Sequence, residues 1–351
     1  MKILINTPRL IPHGGVANHY IGLRRYWNEN VLYNPIGKKG GKSGSGIFRL
    51  PQNVVTFITK IITFKPDIIL LNPSLSRSAV LRDMVFLRIA KLFRKKTAVF
   101  FHGFNKDSIS HLNIANLTKQ LNKCECIFVL ANEFKEIIRS WGVTVPIHLT
   151  TTKVDDRLIE SFDIESKTGK IENILFLARI TKEKGIFIAL DTFKQIQGKY
   201  PHLKLSVVGD GPALTEAKQI CKDCQLTNVI FYGALSGDKL KKQFEEADIY
   251  LFPTFHAEGM PTSVLEAMAF GLPVISRPVG GLCDFFRNGE MGELVDSLEP
   301  HDFADSIEKF IQKKESDIKA ISHRNYTYAK EHFLASSVAV SLEKTLSLYT
   351  K

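Results

Sequence analysis

Two glutamates, Glu258 and Glu266, are separated by seven residues in the segment E-G-M-P-T-S-V-L-E-A-M-A-F-G-L-P-V-I-S-R-P-V-G-G, residues 258–281. A strand is predicted at 248–252, and Pro261 fits at or just before a helix start, where its missing N–H is not needed. Leu265, Ala267, Met268 and Ala269 continue the helix, Gly271 stops it and Pro273 follows. The unpaired N–H groups near 260–263 then lie at a strand's carboxyl end, an anion site suited to a diphosphate. Glu266 has an ordinary explanation, because Ser263-Val-Leu-Glu266 matches a capping box. Glu258 has none. A carboxylate beside an anion site is unfavourable unless it binds hydroxyls or a developing cation, and a sugar offers both.

His102 is a second candidate. It follows the apolar run 97–101 as F-F-H-G, at another strand's carboxyl end, where it could orient a substrate or support proton transfer from a hydroxyl. Other arrangements carry less chemistry. The five cysteines are dispersed, and C-x-x-C at 221–224 has neither a second pair nor a histidine cluster to complete a zinc site. Buried or helix-surface thiols fit better. The stretch G-K-K-G-G-K-S-G-S-G at 37–46 is not a P-loop, since Ile36 stands where the first glycine is required. It reads as a mobile basic loop in which Lys38, Lys39 and Lys42 are available to an anionic headgroup.

The elements that would position these residues alternate. Short β-branched apolar runs at 2–6, 67–71, 97–101 and 126–130, then at 173–177, 204–208, 228–231, 248–252 and 273–276, are separated by helical patterns. Runs such as D-I-I-L-L and T-A-V-F-F suit strands buried on both faces, hence parallel sheets covered by helices. The polar stretch 151–170 interrupts the alternation and is predicted to link two domains. The expected class is α/β, with two facing Rossmann-like domains and a cleft between them where strand carboxyl ends gather. With 351 residues and 44% hydrophobic composition there is material for two cores.

Charge is uneven. Residues 1–170 hold 26 basic against 12 acidic side chains, and the remainder is slightly acidic, for a net +11. Such a field attracts nucleic acid, an acidic membrane face or a phosphorylated substrate. Residues 80–96 read as a helix with a basic end at Arg94, Lys95 and Lys96, which its dipole favours and which an anionic membrane surface would also meet. No run reaches the about 20 apolar residues of a membrane span, and Met1 leads directly into a strand. A cytoplasmic protein, peripheral on the inner face of the plasma membrane, is the expectation.

The E-x7-E segment followed by A-M-A-x-G-x-P-V-I and G-G resembles the donor-site motif of the family 4 retaining glycosyltransferases of GT-B fold, glycosyl transferases group 1. L-A-R-I-T-K-E-K-G at 177–185 resembles that family's G-R-x-x-x-x-K-G segment, with Ala178 in place of the usual glycine. V-V-G-D-G-P at 207–212 occurs in the expected order, and Gly14-Gly15 resembles the N-terminal glycine loop. The likeness covers the second domain and scattered points of the first.

The resemblance implies roles. Arg179 and Lys184 neutralise the donor diphosphate and the charge that grows as the glycosidic bond breaks. Glu266 holds ribose hydroxyls, Glu258 contacts the transferred sugar, and the N–H groups of Gly259, Met260, Pro261's neighbour Thr262 and the Pro261 turn complete the cradle. Gly14 and Gly15 admit the phosphate close to backbone, and His102 contacts the donor sugar. Same-face attack with the leaving phosphate assisting deprotonation is the implied mechanism. No Asp-x-Asp occurs, so no metal and no cofactor are expected.

The expected domains are 1–165 for the acceptor, 166–328 for the nucleotide-sugar donor, and a terminal helix at 329–351 crossing back, with Phe333 packing against N-terminal helices. The expected activity moves a sugar from a UDP- or GDP-sugar to a hydroxyl of a glycan or polyprenyl-diphosphate-linked acceptor in cell-surface polysaccharide synthesis. A nucleotide-sugar epimerase of the same fold and a non-catalytic sugar-binding membrane scaffold are the alternatives. No nucleic-acid partner is expected, because aromatic residues do not interleave with the basic ones in a base-reading pattern.

Overall fold

Apolar runs that bury both faces become the central strands of two parallel sheets. The computed structural model describes residues 1–10, 14–36, 50–73, 77–103, 109–110 and 112–350. They fall into two units, Met1–Lys153 with Ala257–Met260 and Ala335–Lys351, and Val154–His256 with Pro261–Leu334. The loop carrying Lys38, Lys39 and Lys42 lies outside the described residues.

In the first unit the strands are β1 (Lys2–Pro8), β2 (Asn30–Ile36), β3 (Ile68–Leu71), β4 (Lys96–Phe101), β5 (Cys126–Val129) and β6 (Ile147–Leu149). The helices that cover them are α1 (Gly15–Leu23), α2 (Leu50–Phe64), α3 (Arg77–Leu92), α4 (Ile114–Leu121) and α5 (Asn132–Ser140). The sheet order is β2-β1-β3-β4-β5-β6, with Ile3 opposite Ile68 and Ala98 opposite Cys126. Every residue of β3 and β5 is buried, and Phe57, Phe86, Phe100 and Phe128 fill the layers between sheet and helices.

In the second unit β7 (Asn173–Leu177), β8 (Lys204–Val208), β9 (Val229–Gly233), β10 (Ile249–Phe252), β11 (Val274–Ser276) and β12 (Gly292–Leu294) alternate with α6 (Ile186–Gln197), α7 (Leu214–Asp223), α8 (Asp238–Glu246) and α9 (Thr262–Ala269). Then α10 (Pro300–Ile311) packs on α6, and α11 (Glu315–His332) packs on α9. The order is β12-β11-β10-β7-β8-β9, all parallel. The last helix, α12 (Ala335–Ser347), belongs to the first unit. It packs on α1 through an apolar face that includes Val338, Leu342 and Leu346. The Glu343 carboxylate there accepts hydrogen bonds from the Glu29 N–H (2.8 Å) and Asn28 Nδ2 (3.3 Å).

Three local readings change. The helix expected at 80–96 ends at Leu92, because Arg94 adopts φ +54° and Lys96 already begins β4. Residues 151–170 are not a polar linker throughout. From Val154 the chain is part of the second unit, where Ile159 and Phe162 are buried. Lys167 there donates to the carbonyls of Phe244, Glu245 and Ala247 at the end of α8. Buried cations at a helix C-terminus satisfy carbonyls that the helix leaves open, and composition alone conceals this. Phe333 packs in the second unit against Phe285 and Tyr328, not against N-terminal helices. Cys221 is buried at the end of α7 and Cys224 caps it.

Candidate functional sites at the two switch points

In the second sheet the chain runs from β7 to β8 and β9 in one direction and from β10 to β11 and β12 in the other. Open α/β sheets bind ligands at the carboxyl ends of strands where the order reverses, here β7 and β10. The segment after β7 is held from both sides. Ala178 N–H donates to Val208 O (3.2 Å), Ile180 N–H to Asp210 O (3.0 Å), and Ala213 N–H to Ile180 O (3.1 Å). Only glycine permits this approach. A Cβ on Gly209, at φ +138°, would sit 1.9 Å from Ala178 O, and one on Gly211 would sit 2.3 Å from Ile180 O. The two glycines of V-V-G-D-G-P therefore fix the backbone on either side of Arg179. The Arg179 side chain is exposed and makes no ion pair among the described residues.

Lys184 ends a 3-10 turn (Lys182–Lys184) before Gly185, which has φ +85° and packs so closely that a Cβ would lie 2.2 Å from Pro253 O. The Glu183 carbonyl accepts from Thr254 Oγ1 (3.1 Å), Phe255 N–H (2.9 Å) and His256 N–H (3.0 Å). These bonds join the loops after β7 and β10. Lys184 Nζ lies 5.8 Å from the Phe252 ring centroid, within cation–π range.

Helix α9 starts at Thr262 with Pro261 as its N-cap residue and no side-chain cap. The capping box predicted for Ser263 and Glu266 does not form. Buried Tyr250 places its hydroxyl 2.8 Å from Leu177 O and 2.8 Å from Ser263 Oγ. The carbonyl can only accept, so the phenol donates to it and receives the serine proton. Ser263 is thus spent on tying the first turn of α9 to the end of β7, and Glu266 stands half-buried one turn in. Arg179 and Lys184 follow β7, and Thr262 and Glu266 lie on the helix that follows the adjacent strand β10. The first N–H groups of α9 lack intrahelical acceptors there.

In the first sheet the order reverses between β1 and β3. Gly14 is the N-cap residue of α1, extended at φ −162°, and Gly15 begins the helix. A Cβ on either meets nothing within 4 Å among the described residues, so their packing does not require glycine at these positions. His102, at the end of β4, stacks on Phe100 with centroids 3.7 Å apart, and its Nε2 lies 2.9 Å from Asn72 Oδ1. Burial pushes its pKa well below the ordinary histidine value, and neighbouring His19 pushes in the same direction. His19, on α1, is 2% exposed, with centroid 5.0 Å from His102 and no hydrogen-bond partner at either ring nitrogen among the described residues. Burial, then Lys153, lower its pKa to about 3.

The remaining predicted residues divide. Gly259 and Met260 pack in the first unit, where a Cβ on Gly259 would sit 2.4 Å from His102 O and Thr152 Oγ1 bonds Met260 O (3.3 Å). Glu258, half-buried, belongs to the same short segment. Pro261 and Thr262 belong to the second unit, so the cradle expected over 259–262 is split between the two. Asn72, Tyr20, His19 and Tyr250 escaped the sequence reading. Asn72 alone left a signal, as the polar residue that closes the run I-I-L-L.

Residues 159–331, which contain the whole β7–β10 edge, match the family described as glycosyl transferases group 1. The likeness to glycosyl transferases group 1 lies in this segment, just under half of the chain. The chain is 28% identical over 229 residues, 63% of its length, to a capsular polysaccharide biosynthesis glycosyltransferase of Staphylococcus aureus, covering 58% of that protein. It is 29% identical over 220 residues, 60% of its length, to an amylovoran biosynthesis glycosyltransferase of Erwinia amylovora, covering 53% of that protein. The chain spans 61% or less of the length of such curated relatives. Among solved structures, HepE of Anabaena in complex with UDP superposes with TM-score 0.76 at 16% identity, covering 99% of this chain and 100% of that one. Sucrose-phosphate synthase of Thermosynechococcus elongatus gives TM-score 0.76 at 16% identity, covering 99% of both. The fold is that of GT-B glycosyltransferase structures, with two parallel six-stranded sheets and flanking helices.

Proposed function

We propose that this chain is a metal-independent retaining glycosyltransferase that takes a sugar from a UDP-sugar to a hydroxyl of a glycan or polyprenyl-linked acceptor in cell-surface polysaccharide synthesis. The observation that carries the reading is the convergence of Arg179, Lys184 and the start of α9 on the β7–β10 edge. There Arg179 offers a planar fork to the diphosphate and Lys184 a point charge. Both stabilise the charge that accumulates on the departing nucleotide as the sugar becomes oxocarbenium-like. Glu266, one turn into the same helix, takes the ribose hydroxyls. Glu258 and His102 attend the transferred sugar, and the departing phosphate accepts the acceptor's proton. Anabaena HepE has been solved with UDP and with UDP-glucose, which favours a uridine donor. The capsular and amylovoran roles of the relatives favour a polysaccharide acceptor.

Work at the inner membrane face follows from the basic first half, and the described residues include no helix long and apolar enough to cross a membrane. A panel of nucleotide sugars read by thermal shift tests the donor. A ligand at a hundred times its Kd stabilises by about 2.7 kcal/mol, and UDP-sugars are expected to raise Tm in wild type but not in R179A. UDP release with an acceptor present, unaffected by EDTA, is the expected activity. A panel in which no nucleotide sugar shifts Tm, or strict dependence on added metal, contradicts the reading.

A further inference from the structure

A buried polar chain runs behind His102 at the β1–β3 reversal. Asn72 Nδ2 lies 3.0 Å from Asn6 O and 3.5 Å from Leu70 O. Both are carbonyls that can only accept, so this end of the amide is the NH2 group and Oδ1 occupies the other end. Oδ1 in turn lies 2.6 Å from Tyr20 Oη and 2.9 Å from His102 Nε2. An amide oxygen cannot donate, so both partners must. Tyr20 can, because burial raises its pKa well above the ordinary tyrosine value and keeps the phenol protonated. His102 then carries its proton on Nε2.

We propose that Asn72 is a positioning residue that fixes His102 as the Nε2–H tautomer, leaving Nδ1 as the ring's acceptor for a hydroxyl of the bound sugar. The inference rests on the reading of His102 as a group that attends the sugar, and it adds the residue that sets what His102 offers. The surroundings support a single neutral tautomer. Phe100 covers one face of the ring, and the edges of His19 and Tyr20 flank it at 5.0 and 5.8 Å. Gly259, from the segment that carries Glu258, closes on the His102 carbonyl. Lys153 acts on the neighbouring His19 and not directly on His102. With Asn72 replaced by an apolar residue, nothing in this list distinguishes the two ring nitrogens.

The test is a long-range 1H–15N correlation of His102 in the full chain at neutral pH, for wild type, N72L and N72D, alongside turnover with a UDP-sugar that the thermal-shift panel selects. The wild type is expected to show the Nε2–H tautomer. N72L is expected to lose it, with kcat falling about 10- to 100-fold, as for other orienting partners, while the donor KM stays nearly constant. N72D keeps an acceptor in place, so it is expected to retain the tautomer and most of kcat, and to protonate His102 at higher pH because a carboxylate now faces the ring. An Nδ1–H tautomer in wild type, or an unchanged tautomer in N72L, overturns the proposal. Should N72L fail to fold, the wild-type and N72D spectra still decide. An H102F enzyme with wild-type kcat overturns instead the reading of the sugar site, since the tautomer is measured without activity.

Discussion

The two sheets place a site at the same topological position and build it from opposite materials. At β7–β10 the charges are outermost: Arg179 is exposed, Lys184 half-buried, and both ride on backbone held by glycine-dependent contacts. At β1–β3 the polar groups are interior, and burial holds His19 and His102 neutral. Water and a flexible exposed cation are compatible with a doubly charged ligand that arrives and leaves. A buried neutral hydrogen-bond chain is suited to a hydroxyl, whose orientation matters more than its charge. On the proposed reading, the same α/β switch point would supply an anion grip in one unit and a tautomer-specified contact in the other.

The sharpest way to break this contrast is to remove the charge. R179A and K184A are each expected to lower kcat by about 10²–10³-fold, the usual loss for a group that stabilises departing charge. R179K should recover only part, since an ammonium does not reproduce the planar fork. Steady-state kinetics with the selected UDP-sugar measures both. Loss confined to KM would mean that the cations serve binding alone.

Glycines give the next largest effect and the clearest difference between the units. G209A forces a Cβ against Ala178 O at a φ that L-residues avoid, with about 1–3 kcal/mol lost from the conformation alone. Because the backbone beside Arg179 must shift, donor affinity should fall with stability. G14A and G15A meet nothing within 4 Å among the described residues, so urea unfolding should find them as stable as wild type. If ligand fills that space, their activity drops without any change in stability; unchanged activity would remove the glycine loop from the site.

How much of this was legible in the sequence follows the same physics. Central strands announce themselves as continuous apolar runs, and all of them were readable. The strands that were missed, β2, β6 and β12, all lie at sheet edges. An edge strand has one neighbour, so it tolerates Pro35 in β2 and can be as short as Ile147–Leu149 or Gly292–Leu294. In the candidate site, charged residues in a spaced motif stood out, as Arg179, Lys184 and Glu266 do. Tyr250 and His19 did not, because a buried polar residue among apolar ones has no local signature when its partner comes from a distant element, and Asn72 showed only as the polar end of an apolar run. The S-x-x-E pattern misled for the same reason, since Tyr250 claims Ser263 from another strand.

Acid sharpens the contrast at a smaller scale. His19 is neutral in the fold, with a pKa lowered to about 3 from 6.5, so unfolding takes up a proton between those values. Its contribution is fully present above about pH 6.5 and is lost progressively as pH falls toward 3. His102 and His148, also lowered by burial, add in the same direction. All three belong to the first unit. Urea unfolding at pH 7.5 and pH 5.5 should therefore show the wild type losing stability on acidification, and H19L losing less. Equal losses in the two proteins would show that His19 is partnered in solution.

The smallest effect concerns the basic half. Helix α3 ends at Leu92, which is 80% exposed, followed by Phe93 at 37%. Exposed Arg94 and half-buried Lys95 come next. Two apolar side chains beside two cations at a helix end are what a headgroup layer accepts. Lys96 is the first residue of β4, so its reversal would disturb the sheet and is best left out of the test. Each basic residue near an anionic surface is worth about 1 kcal/mol, so R94E/K95E should weaken sedimentation with phosphatidylserine vesicles by more than tenfold at low salt. L92S/F93S should weaken it even at high salt, where charge is screened. If both variants bind as wild type does, the basic excess has another partner, and the phosphorylated acceptor becomes the candidate to test.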